Sequence, residues 1–233
     1  MEHAGEFAQA LTNGAATLGL VISPKQLAQF TSFYQDLQRW NRKTNLTAIR
    51  DPREIAIKHF VDSLAVSRAL PSDRSVSLLD VGTGAGFPGI PLKLYRPELT
   101  LTLLEPTQKK VAFLRHVIGS LELPHVDVYA GTVQELARKS QRRYTHEVTR
   151  ALRPDDLYPE LASLLDADGH LLLCQTKALR ADEVPSSFEL AGQYEYELPN
   201  GYGKRCVTAL KLSLSESVTN RVPRGTSTKN GPR

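Results

Sequence analysis

A chain of 233 residues with 41% hydrophobic and 23% charged content holds one full α/β core and a smaller appendage, and no apolar run approaches the roughly 20 residues of a membrane span. Its two cysteines, Cys174 and Cys206, stand far apart in apolar runs, which disfavours a disulfide scaffold and fits a reduced, cytoplasmic setting; the six histidines make no metal-ligand spacing with them, so no metal is expected. The net charge of +4 is mild, and the basic clusters Arg39 with Arg42-Lys43, Lys109-Lys110 with Arg115, and Arg138-Lys139 with Arg142-Arg143 suit either a polyanionic partner or plain solvated helix faces.

Residues 1–20 are weakly patterned, carry early acids and no charged start followed by an apolar core, and read as a loose helix rather than a signal peptide. Ser23-Pro24 is a helix start, with Ser as N-cap and Pro at the first helical position. Leu27, Phe30, Tyr34, Leu37 and Trp40 then recur at helical spacing, and the polar run Asn41 to Asn45 ends the pattern. Asn45-Leu46-Thr47 reads as a turn fixed by local hydrogen bonds. Asp51-Pro52-Arg53-Glu54 starts the next helix in the manner of a capping box. Ile55, His59, Phe60 and Leu64 lie on one face of it, and His59, Asp62 and Ser63 share a turn, as helix-packing contacts or as part of a substrate mouth. Residues 1–74 are therefore expected to form an N-terminal helical cap.

From Ser75 the pattern alternates. Strands are expected at Val76–Val81, Leu99–Glu105, Val126–Tyr129, Thr145–Thr149 and Gly169–Cys174, with helices between them. Such βαβ alternation implies a mostly parallel, doubly wound α/β sheet with right-handed crossovers. Tyr194–Leu198 and Val207–Leu212 flank PNGYGK with no helix between, so a hairpin should bring one antiparallel strand into the sheet. Tyr194 and Tyr202 near it are candidates for stacking a flipped base or for ordinary packing. Residues 214–233 are polar and basic and are expected to be a disordered tail.

The organising stretch is Val76 to Pro91. An apolar strand ends at Asp80-Val81 and runs into Gly82, Gly84, Gly86 and Gly89, with Pro88 and Pro91 among them. Strand, glycine turn and helix form a nucleotide-type cradle at the carboxyl end of the first strand, with turn N–H groups expected to line it. A dinucleotide fingerprint needs G-x-G-x-x-G, but Phe87 holds the third glycine position and Pro88 removes an N–H that a pyrophosphate would use. The pattern D-x-G-x-G-x-G over Asp80–Gly86 better suits S-adenosylmethionine, which carries no phosphate. Glu105 follows Gly86 by 19 residues, near the roughly 20 expected of a ribose-hydroxyl acceptor; a carboxylate capping the helix start at Thr107–Lys110 is the other reading.

The run VGTGAGFPGIPLKLYRPELTLTLLE, followed by KKVAFLR, closely resembles the bacterial small-subunit (16S) ribosomal RNA guanine-N7 methyltransferases, the RsmG or GidB family. Upstream, Trp40-Asn41, Asn45-Leu46-Thr47, Asp51-Pro52 and Lys58 to Leu64 follow the same family; downstream, Thr149-Arg150-Ala151 and the Pro-Arg-Gly tail do so too. The resemblance covers nearly all of residues 20–233. It implies a Rossmann-like class I methyltransferase fold and transfer of a methyl group from S-adenosylmethionine to N7 of a guanine in 16S rRNA. It implies that Gly82 and Phe87, with Gly84 and Gly86 of the same loop, bind the cofactor, that Glu105 holds its ribose, that Val133 and Gln134 flank its adenine, and that Arg150 stands beside the methyl donor. Where the family usually has Glu, this chain has Gln134, followed by Glu135.

Guanine N7 offers a lone pair and no proton, so its methylation needs no general base. Arg150 is expected to position base or phosphate, with a strand-end salt bridge as the alternative. Residues 75–213 are the expected S-adenosylmethionine-binding domain. The expected partner is small-subunit rRNA or the particle, with no membrane, no metal and a monomeric chain. A non-catalytic ribosome-assembly factor on the same fold, a methyltransferase with another substrate, and a nucleotide-dependent dehydrogenase are the competing readings.

Overall fold

The structure, a computed structural model, describes residues 2–72, 75–150 and 156–213. Three helical stretches precede the sheet. Helix α1 (Glu2–Thr17) is a regular helix that buries Phe7, Leu11 and Ala15, so the loosely patterned start is a packed element. Helix α2 (Pro24–Thr44) begins in a capping box in which Ser23 and Gln26 satisfy each other's backbone N–H. Its buried face is Phe30, Phe33, Tyr34 and Leu37, which adds Phe33 to the expected stripe. Asn45, at φ 48°, closes the helix. The following turn is held by buried Asn41: its amide donates to the Thr47 carbonyl at 2.9 Å and accepts from the Thr47 N–H at 3.0 Å.

The third stretch is continuous but changes its winding. Helix α3 (Pro52–Ile55) is capped by Asp51, whose carboxylate accepts from the N–H groups of Arg53 and Glu54. Glu54 itself pairs with Lys58 at 3.1 Å. A π-helical turn, Ala56–Val61, follows, then α4 (Asp62–Ala65) and a 3₁₀ turn, Val66–Ala69. A π turn rotates the residues beyond it relative to an α-helix. Here it lies next to the strand ends that form the site.

The alternating part supplies β1 (Ser77–Val81), α5 (Gly89–Tyr95), β2 (Thr100–Leu104), α6 (Gln108–Ser120), β3 (Val126–Tyr129), α7 (Val133–Lys139), β4 (Tyr144–Arg150), α8 (Tyr158–Leu164) and β5 (Leu165–Gln175), then β6 (Phe188–Leu198) and β7 (Gly203–Leu212). The sheet order is β3-β2-β1-β4-β5-β7-β6. Strands β1 to β5 pair in parallel, and β7 runs antiparallel to β5 and β6. The single antiparallel strand read from the PNGYGK hairpin is thus β7, inserted between β5 and β6.

Both faces of the sheet are covered, which is why its central strands are apolar on both sides. Leu78, Leu101, Leu103, Val148 and Leu172 face a core shared with α5, α6 and the three N-terminal stretches. Leu79, Val81, Leu104, Leu171 and Leu173 face α7 and α8. The N-terminal helices and the sheet therefore bury one continuous apolar cluster, from Phe7 through Phe60 to Val207. The chain reverses its winding between β1 and β4, which are neighbours. That switch point opens a crevice at the carboxyl ends of the parallel strands.

Three strands begin well before the periodicity predicts, among them β7, which starts at Gly203 where it pairs with Leu198 across the hairpin. β5 starts at Leu165 because Leu165 pairs with Tyr144 ahead of a register shift. β6 starts at Phe188, on the sheet edge, where its exposed positions dilute the apolar signal. Cys174 and Cys206 come to adjacent strands, β5 and β7, as free thiols. The expected tail, Asp73 in the linker, and Ala151 lie outside the described residues.

Candidate cofactor site at the carboxyl edge of the sheet

The site begins where β1 ends. Gly82, Gly84 and Gly86 have φ of 70°, 61° and 91°, the left-handed region that side chains rarely adopt. The two latter positions differ in what surrounds them. A Cβ on Gly86 would run into the Ile90 side chain of α5, so this glycine serves helix packing. A Cβ on Gly84 would meet nothing closer than the Gly82 carbonyl oxygen at 4.0 Å. The backbone at Gly84 is open to an approaching ligand.

The loop's N–H groups are mostly spent inside the protein. Gly82 and Thr83 donate to the Leu104 carbonyl at 3.0 and 3.1 Å, Gly86 and Phe87 to the Thr83 carbonyl at 3.0 and 2.9 Å, and Gly84 to Glu105 Oε2 at 3.0 Å. Pro88 has no N–H to give. An N–H-lined cradle, expected from the glycine pattern, is therefore not what the loop presents. A pyrophosphate would find few donors here.

Asp80 braces the loop from below. It is fully buried, and its Oδ2 accepts from Thr83 Oγ1 at 2.6 Å and from the Gly89 N–H at 2.8 Å. Burial raises its pKa to about 6, against the opposing effect of those hydrogen bonds. Its other oxygen, Oδ1, has no partner among the described residues.

Glu105 follows β2 and is buried, 3% exposed. Its Oε2 holds Gly84 and its Oε1 accepts from the Thr107 N–H at 2.9 Å, with Lys110 Nζ 3.9 Å away. The helix-start reading holds, since Glu105 caps the turn before α6, and the same carboxylate also touches the glycine loop. Each carboxylate oxygen keeps acceptor capacity beyond the one N–H it binds.

The third wall is the start of α7. Thr132 and Glu135 form a reciprocal capping box, so the Glu135 carboxylate is committed to the Thr132 N–H at 2.9 Å. Val133 is buried and Gln134 is half-buried beside it.

Arg150 ends β4. Its Nη1 donates to Asp62 Oδ2 and to the Lys58 carbonyl, each at 3.2 Å, and its guanidinium lies 5.5 Å from the centre of the Phe87 ring. Phe87 itself is 5% exposed. Its ring stacks on Phe33 and His59, with centroids at 5.2 and 4.9 Å, and meets Phe60 edge-on. The side chain thus faces the helical layer, which leaves the Phe87 backbone on the loop. His59 Nε2 lies 2.8 Å from Thr47 Oγ1, and its Nδ1 lies 3.5 Å from Arg150 Nη2. A guanidinium only donates, so a hydrogen bond between the two requires Nδ1 to accept. Burial first, and the neighbouring Arg150 second, lower the His59 pKa to about 3. His59 and Asp62 do not pair with each other, as their shared turn allowed: one binds Thr47 and the other Arg150.

Gly82, Gly84, Gly86 and Phe87 after β1, Glu105 after β2, Val133 and Gln134 after β3, and Arg150 at the end of β4 all lie at the carboxyl edge of four adjacent parallel strands. Two features lie beyond the residues expected from the sequence: the Asp80 side chain, and the clamp that Lys58, His59 and Asp62 make on Arg150. Asp80 opens the glycine pattern, and Asp62 stands in the Lys58–Leu64 run, so both carried a signal. Tyr194 and Tyr202 are engaged rather than free: Arg68 bonds to the Tyr194 hydroxyl, Tyr194 stacks on Tyr196, and Lys58 lies over the Tyr202 ring at 4.5 Å. Among the described residues no group of three or more His, Cys, Asp and Glu gathers as metal ligands, and no helix is long and apolar enough to cross a membrane.

Strand order, glycine loop and acidic residue after β2 define a Rossmann-like class I methyltransferase fold. The solved structures bear this out at the level of fold: TrmN from Thermus thermophilus superposes with a TM-score of 0.52 at 17% identity, over 66% of this chain and 48% of that one. MtNAS, crystallised with MTA and tNA, gives 0.51 at 15% identity, over 91% of this chain and 71% of that one. Residues 26–197 match the family model described as rRNA small subunit methyltransferase G, and the chain belongs to that family. Proteins called ribosomal RNA small subunit methyltransferase G are 38% identical over 216 residues in Caldanaerobacter subterraneus, covering 91% of this chain and 83% of that protein, and 34% identical over 230 residues in Oenococcus oeni, covering 94% and 92%. The Pelotomaculum thermopropionicum relative is 42% identical over 147 residues, and that match spans 62% of each protein, a little under two thirds.

Proposed function

We propose that this chain transfers a methyl group from S-adenosylmethionine to N7 of a guanine in 16S small-subunit rRNA, acting as a monomer in the cytoplasm on the RNA or the particle. The observation that carries the choice of cofactor is the glycine loop: it spends its N–H groups internally, leaves Gly84 open, and is bonded at 3.0 Å to a buried carboxylate, Glu105. Such a loop suits a ligand with a diol and a cationic centre and disfavours a pyrophosphate. The rRNA substrate rests on family membership.

Bound here, S-adenosylmethionine would supply a sulfonium-activated methyl group for in-line displacement by the guanine N7 lone pair. Glu105 accepts the ribose hydroxyls with the lone pairs that Gly84 and Thr107 leave unused. Val133 gives the adenine an apolar wall and Gln134 a polar edge. Gly82, Gly84, Gly86 and the Phe87 backbone let the ligand approach the loop closely. Arg150 positions the base or its phosphate from the end of β4. No residue needs to take a proton, and His59, the imidazole beside Phe87, is held far from basic at neutral pH. The rate then comes from alignment and exclusion of water. Residues 1–74 act as a helical cap over the catalytic domain, 75–213.

Labelled S-adenosylmethionine, purified small subunits and naked small-subunit rRNA test this directly, with NADH titrated in parallel. Label in RNA and no NADH binding are expected. Tight NADH binding favours the dehydrogenase, and binding to the particle without label in RNA favours a non-catalytic assembly factor.

A further inference from the structure

Asp62 is buried, with its side chain 8% exposed, and it shares its two oxygens among three strands. Oδ2 accepts from Arg150 Nη1 of β4 at 3.2 Å, and Oδ1 accepts from the Tyr196 hydroxyl of β6 at 2.8 Å, with Arg205 Nε of β7 3.7 Å away. The residue sits in the first turn after the π-helical turn, and that turn supplies two further contacts to Arg150: the Lys58 carbonyl and His59 Nδ1. With the Phe87 ring beneath it, the guanidinium is held by the helical layer and the glycine loop together.

An arginine side chain has many rotamers, so an unheld Arg150 at a strand end would sample many positions. A buried carboxylate is costly to desolvate and adds little net stability, while its removal strands a charge. Its presence here is better explained by where it puts its partner.

Resting on the functional reading above, we propose that Asp62 is the positioning residue of Arg150: anchored by Tyr196, its carboxylate fixes the guanidinium at the mouth of the cofactor site, and it acts on catalysis only through Arg150. The N-terminal helices thereby become part of the site.

The test is a double-mutant cycle on the full chain with Asp62→Asn, Arg150→Gln and the double variant. Asparagine keeps the shape and an acceptor for Tyr196 but loses the charge. For each variant, kcat and KM for S-adenosylmethionine on small subunits, S-adenosylhomocysteine affinity by calorimetry, and the thermal midpoint are measured. Misplacing a positioning group by about 1 Å costs up to about a hundredfold, so Asp62→Asn is expected to lower kcat/KM at least about tenfold. In the Arg150→Gln background the same change is expected to cost less than about twofold, because contacting residues are not additive. Additive losses, or unchanged turnover with only a lower thermal midpoint, overturn the proposal. If Asp62→Asn does not fold, Asp62→Glu, which keeps the charge and shifts it by one methylene, is carried through the same cycle and judged in the same way. If the wild-type chain methylates no rRNA, the functional reading fails by itself; the coupling is then read from S-adenosylhomocysteine affinity, where the same non-additivity is required.

Discussion

Gly84 and Glu105 are the two residues on which the proposed cofactor site depends most directly. Replacing Gly84 by Val puts a β-branched residue at φ 61° and fills the open face of the loop. Gly84→Val is expected to reduce S-adenosylhomocysteine affinity by more than about tenfold, or about 1.4 kcal/mol, by calorimetry; unchanged affinity would contradict the loop assignment. His59 yields a prediction in pH. The unfolded imidazole takes a proton near 6.5 and the folded one only near 3. Between those values the unfolded chain binds more protons, so this group's contribution is present above about pH 6.5 and is lost as pH falls. Asp80 works in the other direction between its ordinary range and about 6, but it is common to wild type and variant. Calorimetric melts of His59→Gln should lose less stability between pH 7 and 4 than the wild type does; an identical decline would show that His59 is not held neutral. The placement of Gly84 after β1 and of Glu105 after β2 was legible from spacing alone. The clamp on Arg150 was not, because it joins residues about ninety positions apart, which periodicity does not record.

Among the elements, the third helical stretch joins the N-terminal helices to the glycine loop. Phe60 is fully buried and meets Phe7, Phe30, Phe33 and Phe87, with ring centroids 4.8 to 6.0 Å away. Edge-to-face packing of this kind adds to the burial of each ring. Phe60→Ala is expected to cost about 3–5 kcal/mol in denaturant unfolding, and because Phe87 loses a neighbour, to weaken cofactor binding as well. A loss below about 1 kcal/mol would mean that the helical layer is not packed on the loop as described. The capping signals at Ser23 and Asp51 were readable because caps are local hydrogen bonds. Helix α1 was underrated because its apolar residues are few and interspersed with small ones, and tertiary packing supplies what propensity does not. The start of β6 was missed for a related reason: an edge strand need not be apolar on either face.

At the scale of the whole molecule, topology follows from the alternation of strands and helices, and the hairpin identified the antiparallel strand. The shared core between the N-terminal helices and the sheet was not legible, since apolar stripes do not say which face they meet. That contact places the helical layer against the mouth of the site. It gives the chain a wall that a bare doubly wound sheet lacks. The most direct measurement is a map of N7-methylguanine in small-subunit rRNA from cells with and without the gene. One N7-methylguanine is expected to disappear on deletion, to return with the wild-type gene and to stay absent with Gly84→Val. A map that is the same with and without the gene would contradict the proposed function.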